Sequence, residues 1–365
     1  MSIIKGDGDL PMTIFKDKTV VITGGTGSLG KVLTRHLLSG VAGRPRKIII
    51  FSRDEAKQHF MRLEYLQKKR VTDEVIYHNF EQILEFRIGD VRDYHSVSSV
   101  LKDADIVINA AALKQVPTCE YFPFEAVQTN IAGAENIVRV IRDRDLNIGT
   151  VVAVSTDKAC KPVNVMGMTK AVQERIFIAA NIMAPKTRFI CVRYGNVLAS
   201  RGSVIPLFHE QIKNGGPVTI TTREMTRFLL SLDKAADTIF AAIKSAGPGE
   251  TFVPKVPAVR ILDVVTALIG DRKIDIIYTG MRPGEKVHET LVSDEEAWRS
   301  YDCGEYYAIR PMLPELRKPT DGFPALKKEY SSGEMQATLE ETKRLLESHN
   351  LLIGEEIREE GEFLR

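Results

Sequence analysis

The stretch TVVITGGTGSLGKVLTRHLL, residues 19–38, restricts the fold more than any other part of the chain. Its short run of Val and Ile reads as a buried strand, and the apolar spacing after Ser28 reads as a helix. Between them Gly24, Gly27 and Gly30 fall in a G-x-x-G-x-x-G spacing. Such glycines allow a tight turn, close backbone approach to a pyrophosphate and close packing of helix on sheet. The helix N-terminus supplies free N–H groups and a positive dipole. Gly24, Thr26, Gly27, Ser28, Leu29 and Gly30 are therefore candidate dinucleotide contacts.

The pattern continues. KIIIFS (47–52), LEFRIGD (84–90), DIVINAA (105–111), TVVAVS (150–155) and RFICVR (188–193) read as further buried strands. Helical stretches alternate with them, such as EAVQTNIAGAENIVRVIRD with Val127, Ile131, Ala134, Ile137, Val138 and Ile141 on one face. The expectation is an α/β chain, a Rossmann-like doubly wound parallel sheet with a smaller C-terminal substrate lobe. Residues 1–200 form the dinucleotide domain in this reading, and 201–315 mainly the substrate lobe, with some elements returning to the sheet. Residues 316–365 form a tail whose helix carries Met335, Leu339, Leu345 and Leu346 on one stripe, read as packing or an oligomer contact.

Lys plus Arg (50) nearly balances Asp plus Glu (48), which argues against nucleic acid or an anionic membrane as partner. The N-terminus lacks the pattern of a signal peptide, and no apolar run reaches membrane-spanning length, so a cytoplasmic protein is expected. Cys119, Cys160, Cys191 and Cys303 form no C-x-x-C pair, and they read as reduced structural thiols with no metal site.

The second strand ends in Ser52-Arg53-Asp54, with Lys57 a turn later. Arg53 and Lys57 suit the 2′-phosphate of NADP; the rival is that Asp54 reads a ribose hydroxyl and NAD is bound. Asp90 in GDVRD is placed to accept from an adenine amine, or to serve a turn. Val91, Ala110, Ala111, Ala112, Lys114 and Asn130 complete the candidate cofactor contacts. The fifth strand delivers Ser155, Thr156, Asp157 and Lys158 to the sheet edge where ligands of such folds bind. Met166 and Lys170 follow, four residues apart on one helix face.

The order TGGTGSLG, GDVRD, NAAALK, STDK, M-x-x-x-K and RYGNV resembles the extended short-chain dehydrogenases/reductases. Longer stretches, STDKACKPVNVMGMTKA, RYGNVLASRGSVIPLF and MTRFLLSL among them, resemble the bacterial UDP-N-acetylglucosamine 4,6-dehydratases, several of which, including the capsular 5-inverting kind and the membrane-bound retaining kind, also have Met in place of the Y-x-x-x-K tyrosine. The resemblance implies hydride transfer from C4 of the hexose to NADP+, loss of water across C5 and C6, and return of the hydride to C6. It makes Asp157 the acid at the C6 oxygen if burial raises its pKa from ~4, and Lys158 the C5 base if its pKa falls well below ~10.4, helped by Lys170 nearby. Lys170 then holds the nicotinamide ribose. Met166 cannot exchange a proton and is expected to pack, so Asp157, Lys158 or a water held by Thr156 must take the 4-hydroxyl proton.

Substrate contacts implied are Lys114, Asn196, Ser203, Arg227, Arg282 and Glu285, while His288 reads as a surface histidine. Relatives of this kind assemble as hexamers or dimers, so a homo-oligomer is implied. The retaining dehydratase and the UDP-sugar 4-epimerase are the alternative enzymes, and an NADP-binding regulatory protein is the alternative outside catalysis.

Overall fold

The computed structural model describes residues 13–69, 75–198, 204–317, 324–334 and 336–353. Six strands, β1 (Thr19–Thr23), β2 (Lys47–Ser52), β3 (Leu84–Ile88), β4 (Ile106–Asn109), β5 (Thr150–Val154) and β6 (Arg188–Val192), pair in parallel in the order β3-β2-β1-β4-β5-β6. The order reverses between β1 and β4, which opens a crevice at the carboxyl ends of the strands. The strand Thr251–Pro254 joins beside β6 in parallel, and Tyr306–Ile309 and Ser300–Cys303 complete nine strands as antiparallel neighbours. This is the doubly wound α/β sheet, with an antiparallel hairpin on one edge.

Alternation along the strands fills two cores. Val20, Ile22, Ile48 and Ile50 meet Leu33 and Leu37 on one face, while Val21, Ile49 and Phe51 meet Val138 and Ile141 on the other. Each such side chain removed from water contributes roughly 1.5–3 kcal/mol, so both faces hold the sheet. β3 departs from the fully buried strand expected of it: it is the sheet edge, only partly covered, with Ile88 62% exposed. The helix expected over 125–143 is also interrupted, because Val127–Ala132 forms a π-helical segment before the α-helix Gly133–Asp143. Apolar periodicity does not register that extra residue per turn.

A third core of Phe208, Val218, Leu229, Val264 and Leu268 builds the lobe. The helix Leu339–Ser348, begun by a Thr338–Glu341 capping box, inserts Leu346 into it and leaves Leu339 exposed. Leu345 and Leu346 of the stripe are therefore packing residues; Met335 and the acidic terminus lie outside the described residues.

Candidate active site

At the crevice, Gly24 leaves β1 with φ +65, and a Cβ there would stand 2.8 Å from the Ala111 backbone. Only glycine lets the two chain segments pass so closely. The helix Ser28–Ser39 begins at Gly27 without a side-chain cap, so its first N–H groups face the crevice open to an anion. Thr26 and Ser52 are buried, their hydroxyls 3.3 Å apart, and Gln58 Nε2 donates to Ser52 Oγ at 3.0 Å. These residues fit a dinucleotide: an uncapped helix start with glycine beside it.

Both cations expected beyond β2 are exposed and each stands near a carboxylate; Arg53 lies 3.9 Å from Asp90. Lys57 pairs with Asp54 at 3.1 Å, and the Lys57 amide, by its hydrogen bond to Asp54, leads the effects that hold that carboxyl below its usual value. Asp90 is engaged in its own turn, accepting from the Arg92 amide and guanidinium at 3.0 and 2.9 Å. Burial opposes ionisation of Asp90, but Arg92 outweighs it and the pKa lies low. Val91 is buried, and its carbonyl accepts from Asn136 at 3.0 Å. Asn130, carried by the π-helical segment, bonds the Leu113 amide, the Leu113 carbonyl and Thr169. It clamps the Ala110–Lys114 segment onto the next helix, a structural duty that uses its whole side chain.

The turn after β5 gathers the candidate catalytic side chains. Thr156 caps a short 3-10 turn, Asp157–Ala159, and its hydroxyl donates to Asp157 Oδ1 at 2.8 Å. The helix Val165–Met183 lies directly on this turn; at Gly167 a Cβ would come within 2.2 Å of the Lys158 carbonyl. Asn164 caps that helix and donates to the Gly284 carbonyl at 2.7 Å, which ties it to the RPGE loop. Met166 is 4% exposed and packs with Cys119 and Ala126, as expected of it.

Lys158 Nζ lies 3.1 Å from Asp157 Oδ1 and 3.2 Å from Glu289 Oε1, with both carboxylates buried and 20% of the lysine side chain exposed. Asp157 Oδ2 and Glu289 Oε2 have no hydrogen-bond partner among the described residues. Burial pulls the Lys158 pKa down, but Asp157 and Glu289 outweigh burial and the opposing Arg227, so the ammonium is held above its ordinary value. This corrects the expected fall. Lys170 exerts no such push; its ammonium donates to the Val154 carbonyl at 2.5 Å and Gln173 Oε1 at 2.7 Å. Burial lowers the pKa of Lys170 itself to about 8, with Glu174 offsetting part of the effect.

Behind the turn sits a second cluster. Ser155 Oγ donates to Glu174 Oε1 at 2.5 Å, and Arg193 bonds both oxygens of Glu174 (2.8 and 2.7 Å) and both of Glu296 (2.6 and 2.8 Å). Sequence reasoning missed Glu174, Arg193, Glu289 and Glu296. Arg193 opens RYGNV and Glu289 ends RPGEKVHE, but the partners of each lie far away in the chain. Glu174, four residues past Lys170, was within reach of helical spacing.

The substrate candidates divide. Arg227 is buried, donating to the Thr226 and Val287 carbonyls, with Nε 4.0 Å from Glu289. Asn196 Oδ1 is buried without a partner among the described residues. Arg282 and Lys114 are exposed, and Glu285 accepts from Thr221 at 3.4 Å. Ser203 lies outside the described residues. His288 is exposed and bonds Thr226 at 2.8 Å. Among the described residues, no His, Cys, Asp and Glu cluster has metal-binding geometry, and no helix is long and apolar enough to cross a membrane.

The sequence profile of a polysaccharide biosynthesis protein family matches residues 20–311. The chain belongs to this family. A relative from Rickettsia bellii, named UDP-glucose 4-epimerase, is 44% identical over 91% of this chain and 96% of its own. The crystal structure of Pen from Bacillus thuringiensis superposes with a TM-score of 0.80 at 34% identity, covering 93% of this chain and 99% of that one. DesIV from Streptomyces venezuelae, a dTDP-glucose 4,6-dehydratase solved with NAD, shares the fold at 19% identity and a TM-score of 0.62, over 74% and 86% of the chains. The polysaccharide biosynthesis family thus places this chain's Rossmann-like sheet among nucleotide-binding enzymes of the short-chain dehydrogenase/reductase type.

Proposed function

We propose that the protein is an NADP-dependent UDP-N-acetylglucosamine 4,6-dehydratase, forming a UDP-4-keto-6-deoxy-N-acetylhexosamine with inversion at C5 for bacterial surface-polysaccharide synthesis. The observation that carries this reading is the buried Asp157–Lys158 pair at 3.1 Å. Elimination across C5 and C6 needs a base at C5 and an acid at the C6 oxygen together. Passing one proton from the Lys158 ammonium to Asp157 makes both at once, a neutral amine and a carboxylic acid, and a substrate that displaces water from the site on binding works towards that transfer. The pair replaces the two independent pKa shifts expected from the sequence. A bound nicotinamide supplies hydride acceptance at C4 and hydride return at C6.

For the cofactor, the N–H groups of Ser28, Leu29 and Gly30 suit the pyrophosphate, Arg53 the 2′-phosphate and Lys170 the ribose. For the sugar nucleotide, Arg227 and Arg282 suit the diphosphate, and Asn196 offers a free acceptor within the lobe. The second reading is a UDP-sugar 4-epimerase, favoured by the name of the Rickettsia relative. An epimerase has no need of an acid at C6, and Asp157 would then be a buried carboxylate with an unused oxygen. The same oxygen weighs against a regulatory binding protein.

Mass spectrometry and NMR of the sugar nucleotide after incubation of UDP-N-acetylglucosamine with purified protein test the reading. Loss of one water from the sugar nucleotide is the expected result. Conversion to an isomer of unchanged mass would replace it with epimerisation, and no conversion despite tight NADP binding with the regulatory alternative.

A further inference from the structure

Glu289 has no part in the chemistry described above, although it lies as close to Lys158 as Asp157 does, within 0.1 Å. It reaches Lys158 from the loop ahead of the strand Thr290–Val292, buried to 2% exposure, with Oε2 lacking a hydrogen-bond partner among the described residues. Among the described residues, the charges that face Lys158 come from three segments. Asp157 belongs to its own turn, Glu289 and Lys286 to that loop, and Arg227 to the strand Thr226–Leu230. On the packed helix Val165–Met183, Lys170 is turned to Val154 and Gln173 instead.

Resting on the dehydration reading, the reaction asks for two proton acceptances before water leaves. The first proton comes from the 4-hydroxyl, which Met166 cannot take, and the second from C5. An amine has one lone pair and holds one proton. We infer that Glu289 receives the first proton from Lys158, so that the same amine is free to take the second.

The transfers balance. The Lys158 ammonium of the resting site first passes a proton to Asp157, which leaves a neutral amine beside a protonated carboxyl. The 4-hydroxyl O–H bond breaks as an N–H bond forms on Lys158, and that ammonium passes a proton to Glu289 Oε1. Both lysine and glutamic acid are then neutral. The C5–H bond breaks towards the amine while the Asp157 O–H bond gives its proton to the departing C6 oxygen. Two protons have left the sugar by then and one has returned as water. The other returns to C5, so the cluster ends with the proton count it began with. The hydride exchange at C4 and C6 is unchanged by this assignment. Glu289 is accordingly a positioning residue that acts through Lys158.

Glu289→Gln keeps the size and an oxygen towards Lys158 but cannot store a proton. The cofactor-loaded variant, mixed with UDP-N-acetylglucosamine in deuterated water, should still show the absorbance of reduced nicotinamide. Deuterium at C5 and loss of water should both fall by on the order of 100-fold. A purely structural role would slow nicotinamide reduction and elimination together, and that result would overturn the inference. So would elimination at the wild-type rate. If the Gln variant does not fold, Glu289→Asp decides the matter: it lengthens the transfer, so C5 exchange should slow more than nicotinamide reduction, and equal slowing of the two would overturn the assignment. Failure of the wild-type protein to eliminate water would instead overturn the dehydration reading, and this inference with it.

Discussion

Two buried charge clusters lie back to back at the turn after β5, and they are built to opposite specifications. Around Arg193 every carboxylate oxygen is used: Glu174 and Glu296 each accept two bonds from one guanidinium, and Ser155 adds another. Around Lys158 two buried carboxylates each leave an oxygen without a hydrogen bond among the described residues. A saturated cluster can hold β5, the helix Val165–Met183 and the lobe in register, but it offers nothing to a ligand. The unsaturated cluster costs stability and, in the proposed reaction, exchanges protons. That contrast separates the strut from the chemistry.

Breaking the saturated cluster should have the largest effect. Arg193→Met strands two buried carboxylates, and thermal or denaturant unfolding should show a loss of about 3–5 kcal/mol. Asp157→Asn should do the reverse, lowering turnover by on the order of 100-fold, about 3 kcal/mol of barrier, while the melting temperature stays close to wild type. Equal damage to stability in both variants would erase the distinction.

Acid unfolding sharpens it further. Burial pushes the Glu296 carboxyl up, but Arg193 outweighs it and holds it at about 2, against 4.5 in the unfolded chain. Its contribution is therefore full above pH 4.5 and lost as pH falls towards 2, on the order of 3 kcal/mol across that window. Glu296→Gln should flatten the stability profile there. The smallest effect belongs to Met166→Leu, a swap of similar volume in the packed cluster with Cys119 and Ala126, which should cost under about 1.5 kcal/mol and leave turnover within about twofold.

The strands were legible because β1, β2, β4, β5 and β6 are unbroken apolar runs, and the glycine loop because its spacing admits few other structures. Met166 was legible as a packing residue from its chemistry alone. The π-helical segment was not, since Val127, Ile131 and Ala134 fit an ordinary helix as well. Ionisation was the hardest to read. The sign of the Lys158 shift depends on Glu289, brought by a distant loop, and Lys57 is claimed by Asp54 through a side-chain contact that sequence proximity permits but does not impose. Arg193 stood in a recognised motif, yet both of its partners come from elsewhere in the fold.

The central claim, that the unsaturated cluster moves protons at C5 of a hexose, is tested most directly by NMR of the sugar nucleotide after turnover in deuterated water. Wild-type protein should place deuterium at C5 of a product that has lost water, and Lys158→Met should place none. A water-free product carrying hydrogen at C5, or undiminished labelling by Lys158→Met, would contradict the account.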